Sequence, residues 1–366
     1  MSEVRHILGI SGGKDSAALA IYMKKNYPSL NLEYYNADTG CELKDTEKLL
    51  ERLSSFLGGI VTLRAAKNSP EKVPFVHFLK AQGGFLPSPN ARWCTKKMKL
   101  EPFEEYVGND YAISYVGIRG DEDRDGYISS KPNIQAIFPF RKNIWSLDVI
   151  NLVLNNNNLS QVLDIACHLD SSETDEFKVV LQTPLSRQFY YSKKLNALLD
   201  LDTPLFNHIV FEFLKKTDYP VGKLDDFPLL DNTDALVKED IFRILEENGV
   251  GVPAYYKEIP FEVDGETGTY CRSRSGCFFC FYQQKIEWIW LYEQHPDLFA
   301  KAMEFEKDGY TWNQGESLAE LIRPERIRQI KLDVIKRQKE NANMGKGNNL
   351  VDILAEDGVL CTNCFI

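Results

Sequence analysis

No run of apolar residues in this chain of 366 approaches the roughly 18 that a membrane-spanning helix needs, which argues against a transmembrane segment. The opening stretch, Met1 to Ile10, is interrupted by Gly9 too early to form the apolar core of a secretory leader, so a cytoplasmic protein is expected. Excess positive charge is lacking as well. The formal net charge is −10, whereas a protein that holds DNA on its own surface is usually basic, because phosphate neutralisation dominates that affinity. Any nucleic-acid contact is therefore expected only through partners or a local basic patch. What is present is ordinary: 43% hydrophobic and 26% charged residues place the chain among soluble globular proteins. Its length suits one large α/β domain with additions, or two domains. The eight cysteines, in a cytoplasmic chain, point to metal or sulfur chemistry rather than disulfides.

Apolar periodicity predicts a short buried strand over residues 4–10, a helix from Ser16 to about Tyr27 ended by Pro28, and a strand at 32–37. A helix over 43–57 and a strand at 60–63 follow. Strands alternating with helices imply βαβ units, hence an α/β fold with a parallel, doubly wound sheet. After the Gly/Pro-rich stretch 83–89 comes a basic helix around Lys96–Val107, then a strand at 111–118. The division expected is an α/β unit over 1–154, a helical insertion over 155–235, and a cysteine-cluster and helical region over 236–366. Helical patterns mark residues 190–199 and 206–215 of the insertion.

The strongest local signal is the loop Ser11-Gly12-Gly13-Lys14-Asp15-Ser16 between the first strand and helix. Two glycines let the backbone turn tightly and present successive N–H groups to an anion, and the helix start adds its positive end. Lys14 contributes a point charge, and the Ser11 and Ser16 hydroxyls are candidate donors to phosphate oxygens. The spacing is not that of the Walker A loop. Ligands of open parallel sheets sit at the carboxyl ends of strands. There Asp38 is a candidate to accept from a ribose, and Arg92, Lys99, Arg119 and Arg124 to meet phosphate or sulfate charge.

Ser-Gly-Gly-Lys-Asp-Ser resembles the pyrophosphate (PP) loop of the adenine-nucleotide α-hydrolase superfamily, whose members cleave ATP between its α and β phosphates or bind sulfonucleotides. Three segments narrow the resemblance to the phosphoadenosine phosphosulfate (PAPS) reductase family. Asp38-Thr39-Gly40 with Thr46 is similar to that family's Asp-Thr-Gly…Glu-Thr segment. Arg92-Trp93-Cys94-Thr95 with Lys99 and Pro102 resembles its Arg-x-Cys stretch, and Gly117-Ile118-Arg119 with Asp121 and Arg124 its Gly-x-Arg turn. The four stand in family order over about residues 6–125. The resemblance implies nucleotide binding by Ser11, Gly12, Gly13, Lys14, Asp15, Ser16, Asp38, Thr39, Gly40, Arg92, Lys99, Gly117 and Arg124. It implies a catalytic part for Lys14, Asp15 and Arg119, with Mg²⁺ on the triphosphate.

In the last third, Cys271 precedes Gly276-Cys277-Phe278-Phe279-Cys280. A Cys-x-x-Cys places two thiolates on one soft metal, Cys271 is near enough to supply a third, and Cys94 makes four, the number a [4Fe–4S] cluster wants. Zinc suits the same four sulfurs. Thr95 stands where iron–sulfur reductases of the family carry a second, adjacent Cys. The aromatic residues around the motif read mostly as core. Cys41 and Cys167 read as buried apolar residues, and Cys361 and Cys364 near the end carry no family tail motif. The basic helix from about Pro324 to Lys339 reads as a packed helix with a solvated face.

Within the family the chain is closest in character to the DndC-type sulfur-transfer proteins of bacterial DNA phosphorothioation. That resemblance implies an ATP pyrophosphatase-type enzyme that adenylates a phosphate for sulfur insertion. Its expected partners are a cysteine desulfurase and other sulfur-modification subunits, with a homodimer allowed for and no membrane contact. A PAPS or APS reductase making sulfite is the alternative, and a nucleotide-sensing scaffold with a structural cluster is a third.

Overall fold

The computed structural model describes residues 3–126, 128–169, 176–274, 276–307 and 309–344. Cys361 and Cys364 lie outside them. Five parallel strands, β1 (Arg5–Gly9), β2 (Leu32–Asp38), β3 (Val61–Arg64), β4 (Ala112–Tyr115) and β5 (Ile134–Ile137), form one sheet in the order β3-β2-β1-β4-β5. The chain winds outward from β1 in one direction and then in the other, so the switch point lies between the carboxyl ends of β1 and β4. Both faces are covered. Leu8 packs with Tyr34, Ile113 and Ile137 in one core, while Ile7 packs with Tyr35, Leu63, Phe103 and Ile134 in another. That double burial is why the central strands read as continuous apolar runs.

Helix α1 (Lys14–Asn26) is buried from Lys14 to Met23, with Ala17, Ala18 and Ala20 letting it lie close to the sheet. Helix α2 (Lys44–Leu57) buries Thr46, Leu49, Leu53 and Leu57 and stops at Gly58, whose φ of 93° is the left-handed conformation of a helix end. Helix α3 (Pro74–Ala81) follows. The predicted basic helix starts earlier, as α4 (Trp93–Thr95). It widens into a π-turn over Lys96–Leu100 and continues as α5 (Glu101–Val107). Such bulges re-aim the side chains just before them. Strand β5 has no counterpart among the predicted strands. It is a four-residue edge strand between Pro132 and Pro139, which only an edge tolerates.

The insertion is helical, as its periodicity implied: α6 (Leu147–Val153) leads into it, then α7 (Leu159–Leu169), α8 (Glu176–Gln182) and α9 (Tyr191–Leu214). The two predicted helical stretches are the halves of α9, kinked at Asp202 (φ −157°, ψ 96°). Pro204 cannot continue the first half, and the Asp202 carboxylate accepts from the Leu205 N–H to start the second. The insertion shares its apolar core with α1 and α2: Leu198, Phe206 and Val210 belong to the same cluster as Leu19 and Leu53.

Helix α10 (Lys238–Glu247) packs on α1. A hairpin of β6 (Ile259–Val263) and β7 (Glu266–Tyr270) follows, its turn made by Asp264 and Gly265 with φ of 53° and 77°. Positive φ at both positions matches the twist of the flanking strands, and Asp-Gly is the pair that accepts it. The last elements, α11 (Lys285–Gln294), α12 (Pro296–Glu304), α13 (Leu318–Leu321) and α14 (Pro324–Met344), enclose a separate aromatic core of Phe75, Trp93, Phe279, Trp288, Phe299 and Trp312. Among the described residues no helix is long and apolar enough to cross a membrane.

Because the insertion shares a core with α1, Phe206→Ala is expected to cost about 3–5 kcal/mol of the stability of the whole unit. Urea unfolding followed by circular dichroism and by tryptophan fluorescence should give one coincident, weakened transition. A separate early transition with the remainder unchanged would show that residues 155–235 fold on their own.

Candidate functional site

The loop after β1 is shaped by one glycine that nothing else replaces. Gly12 has φ 75°, and a Cβ there would stand 2.3 Å from the Thr46 Cγ2 methyl on α2. Ser16 stitches the turn together: its Oγ accepts from the Ser11 N–H (3.1 Å), donates to the Gly13 carbonyl (3.2 Å) and lies 3.0 Å from Ser11 Oγ. The hydroxyls expected to face phosphate thus also hold the loop. Gly13 precedes α1 with no side-chain cap, which leaves the helix start to other partners.

Charge is concentrated behind the loop, in the interior. Asp15, 2% exposed, takes Lys14 Nζ on one oxygen (3.1 Å) and Arg119 Nη1 on the other (3.0 Å). Arg119 also meets Asp121 (2.8 Å) and Glu122 (2.9 Å), and Glu122 meets Arg124 (2.6 Å). Arg141 reaches the carbonyls of Arg119, Glu122 and Arg124, fixing the turn that carries them. Burial disfavours the Asp15 carboxylate, but Lys14 and Arg119 outweigh it and hold its pKa below the ordinary value. For Glu122 burial prevails over Arg124 and Arg119, and its pKa is raised. Burial opposes the Arg119 charge, yet Asp15, Glu122 and Asp121 together raise its pKa. Gly117 permits the whole arrangement, because a Cβ there would come within 2.9 Å of the Asp15 carbonyl oxygen.

The remaining predicted contacts divide. Asp38 accepts from the Gly40 N–H (2.8 Å) and pairs with Arg64 (3.2 Å), so it holds its own turn, with Gly40 at φ 73°. Arg92 donates to the Pro89 carbonyl (3.0 Å) and lies over the Tyr282 ring, while Lys99 lines the cavity described next.

That cavity joins the two predicted sites. Ser11, Thr39 and Lys99 line it together with Cys94, Cys277 and Cys280. The cysteine segment reaches the loop after β2 by an antiparallel bridge between Cys277 and Glu42 and by the Phe278 N–H donating to the Cys41 carbonyl (2.9 Å). Thr39 Oγ1 lies 3.2 Å from Cys277 Sγ. Burial, with Cys280 nearby, pushes the Cys94 thiol up to about 11, and burial beside Glu42 raises Cys277 further. Cys271 stands apart from this lining. Its thiol, also pushed up to about 11, answers to burial and to Glu258 and Glu287. Among the described residues no three His, Cys, Asp or Glu side chains are gathered as a metal-binding group. Cys41 is buried as expected, but Cys167 is exposed, on the outer side of α7.

Two features escaped the sequence. Arg272, 1% exposed, donates from Nη2 to the Cys277 carbonyl (3.2 Å) and lies over the Trp290 ring, while Nε and Nη1 have no hydrogen-bond partner among the described residues. A buried guanidinium without a carboxylate is costly, and it calls for an anion nearby. Tyr255 and Tyr256 reach the Ser11–Ser16 loop: the Tyr255 hydroxyl donates to the Gly12 carbonyl (3.0 Å), and the Lys14 N–H donates to the Tyr256 hydroxyl (3.4 Å). No motif marks them, because they act across some 240 residues of chain. On α14, Arg326, Arg328, Lys331 and Lys339 pair with Glu316, Asp264, Glu293 and Glu266, as a packed helix with paired charges would.

No protein-family model matches the chain. It is similar to two proteins of Methanocaldococcus jannaschii. One, Uncharacterized protein MJ0973, is 27% identical over 172 residues, 43% of this chain and 39% of that protein. The other, Uncharacterized protein MJ0066, is 29% identical over 153 residues, 38% of this chain and 30% of that protein. The chain thus spans well under half the length of either relative.

The opposite pKa directions of the two buried carboxylates give a test. Asp15 is stabilised as the anion, so its contribution is fully present above the ordinary aspartate value of 3.8 and is lost as pH falls through its lower folded value. Asp15→Asn should therefore lower stability by about 3 kcal/mol at pH 7, with the gap from wild type closing below pH ~4. Glu122→Gln, which removes a charge that burial disfavours, should cost less. Thermal melts of both variants across pH check the order, and equal losses would contradict it.

Proposed function

We propose that this chain is a PP-loop enzyme of the PAPS reductase type that cleaves ATP between its α and β phosphates to activate a phosphate for sulfur insertion, as in DNA phosphorothioation. The observation that carries the reading is the shared cavity, where Ser11 of the nucleotide loop and Lys99 line the same space as Cys94, Cys277 and Cys280. The strand order supports it, since the loop and Arg119 follow β1 and β4, whose carboxyl ends flank the switch point, and Thr39 follows the neighbouring β2.

In this reading the acceptor phosphate oxygen attacks the α-phosphorus of ATP, the α–β bond breaks, and pyrophosphate leaves toward the loop. Lys14 and the amides at the start of α1 stabilise the charge that develops there. Arg119 keeps Asp15 ionised, and Asp15 in turn aims the Lys14 ammonium. Attack by the outer sulfur of a cysteine persulfide on the adenylated phosphorus then releases AMP, and a second thiol breaks the S–S bond, leaving the phosphorothioate and a disulfide. Mg²⁺ carried on the triphosphate would supply charge neutralisation there. Cys94, Cys277 and Cys280 line the same cavity, and a thiolate-bound group there would have to draw them together. Cys94, Cys277 and Cys280 would hold it, and an iron–sulfur group there supplies electron transfer or sulfur handling. The sulfur donor is a cysteine desulfurase partner.

Purified protein with Mg²⁺, ATP, the partner subunits and DNA should release pyrophosphate, and Lys14→Ala should slow release on the order of 10²-fold or more. No release under those conditions would sink the reading. Metal content of anaerobically purified protein tests the thiols: Ser at position 94, 277 or 280 should strip bound metal, whereas Cys271→Ser should retain it.

A further inference from the structure

Two adjacent tyrosines connect the nucleotide loop to the cysteine segment through atoms that matter to a phosphate. The Lys14 N–H, at the start of the 13-residue helix α1, donates to the Tyr256 hydroxyl (3.4 Å), and the Lys14 ammonium lies 5.0 Å from the centre of the Tyr256 ring. Tyr255 donates to the Gly12 carbonyl (3.0 Å), accepts from Thr46 (3.4 Å), and through its own carbonyl accepts the Arg272 N–H (2.8 Å). Both tyrosines lie on one short helical turn, Ala254–Tyr256, with ring centres 4.6 Å apart, so neither moves far without the other.

We propose that Tyr256 competes with a phosphate oxygen for the Lys14 N–H, and that its displacement is passed through Tyr255 and Arg272 to the segment bearing Cys271 and Cys277. The inference rests on the loop's being a nucleotide site. A phosphate oxygen is a charged acceptor and forms a stronger bond to that amide than a neutral phenol does. The same phosphate draws the Lys14 ammonium off the aromatic face. Beyond the loop the link is the bond from the Arg272 N–H to Tyr255, and the Arg272 side chain donates to the Cys277 carbonyl while its guanidinium lies over the Trp290 ring. A shift of the tyrosine turn is passed by this residue to the cysteine segment, against the anchors that Cys277 and Phe278 have on the loop after β2. Occupancy of the phosphate site and the position of the sulfur chemistry become one equilibrium.

Tyr256→Phe isolates the hydroxyl, because the ring under Lys14 remains. Titration calorimetry with inorganic pyrophosphate should show binding roughly five-fold tighter in Tyr256→Phe than in wild type, the size expected for losing one competing hydrogen bond. Unchanged or weaker binding by the variant, with normal binding by wild type, overturns the competition and leaves the nucleotide reading standing. No binding of pyrophosphate or of ATP by wild type overturns that reading and the proposal with it. Amide hydrogen exchange supplies the second readout. In wild type, pyrophosphate should change exchange at Arg272 at least about two-fold, since its N–H is the one held by Tyr255. Unchanged exchange at Arg272 on saturation overturns the coupling.

Discussion

The carboxylate of Asp15 is the interaction on which the sheet end of this protein that carries the Ser11–Ser16 loop depends. It sits at the second position of α1, buried, and it takes Lys14 from its own helix and Arg119 from the turn after β4. Those segments leave the sheet on either side of the switch point, so one ion pair ties the two halves of the winding together. Burying a carboxylate without partners costs several kcal/mol, and the obligation is passed along. Asp15 requires Arg119, Arg119 is further matched by Asp121 and Glu122, and Glu122 requires Arg124. Arg141, through three backbone carbonyls, keeps the chain of charges from relaxing into solvent.

The cysteine side depends on a different physical effect. Its own sheet is a two-stranded hairpin, which is marginal alone, and it gains rigidity from the aromatic cluster of Phe75, Trp93, Phe279, Trp288 and Trp312. Phe75 and Trp93 come from the N-terminal half and the other three from the C-terminal half. The cluster is thus an interface as well as a core, and it brings Cys94 from one half against Cys277 and Cys280 from the other. Packing, rather than any bond between the thiols, sets that approach.

Much of this was legible. Four of the five sheet strands follow from apolar runs bounded by Gly and Pro, and the Ser11–Ser16 loop from glycine and charge spacing. Asp15 and Arg119 were named, but not that they bond to each other, because pairing across 104 residues leaves no trace in spacing. Glu122 and Arg141 were missed for a related reason: each reads as an ordinary surface charge until the fold buries it. β5 was hidden by its flanking prolines, and the hairpin of β6 and β7 carried a readable Asp-Gly signal that was passed over. Cys271 shows the limit of spacing from the other side. It lies close in sequence to Cys277, yet the chain between them turns about Arg272, and its thiol answers to Glu258 and Glu287 instead.

Gly12, Thr46 and Tyr255 bring these arguments to one point. The Thr46 methyl closes the space a Cβ of Gly12 would need, and its hydroxyl donates to Tyr255, which donates to the Gly12 carbonyl. Three segments from distant parts of the chain thus meet over a single peptide of the anion loop. The C-terminal region is therefore not an appendage to a finished α/β unit. It supplies the donor for the buried Gly12 carbonyl, and a buried carbonyl without a donor costs about 1–3 kcal/mol. The geometry of the loop is accordingly set in part by the Tyr255 and Thr46 hydrogen bonds, which tie it to the chain just before the cysteine segment.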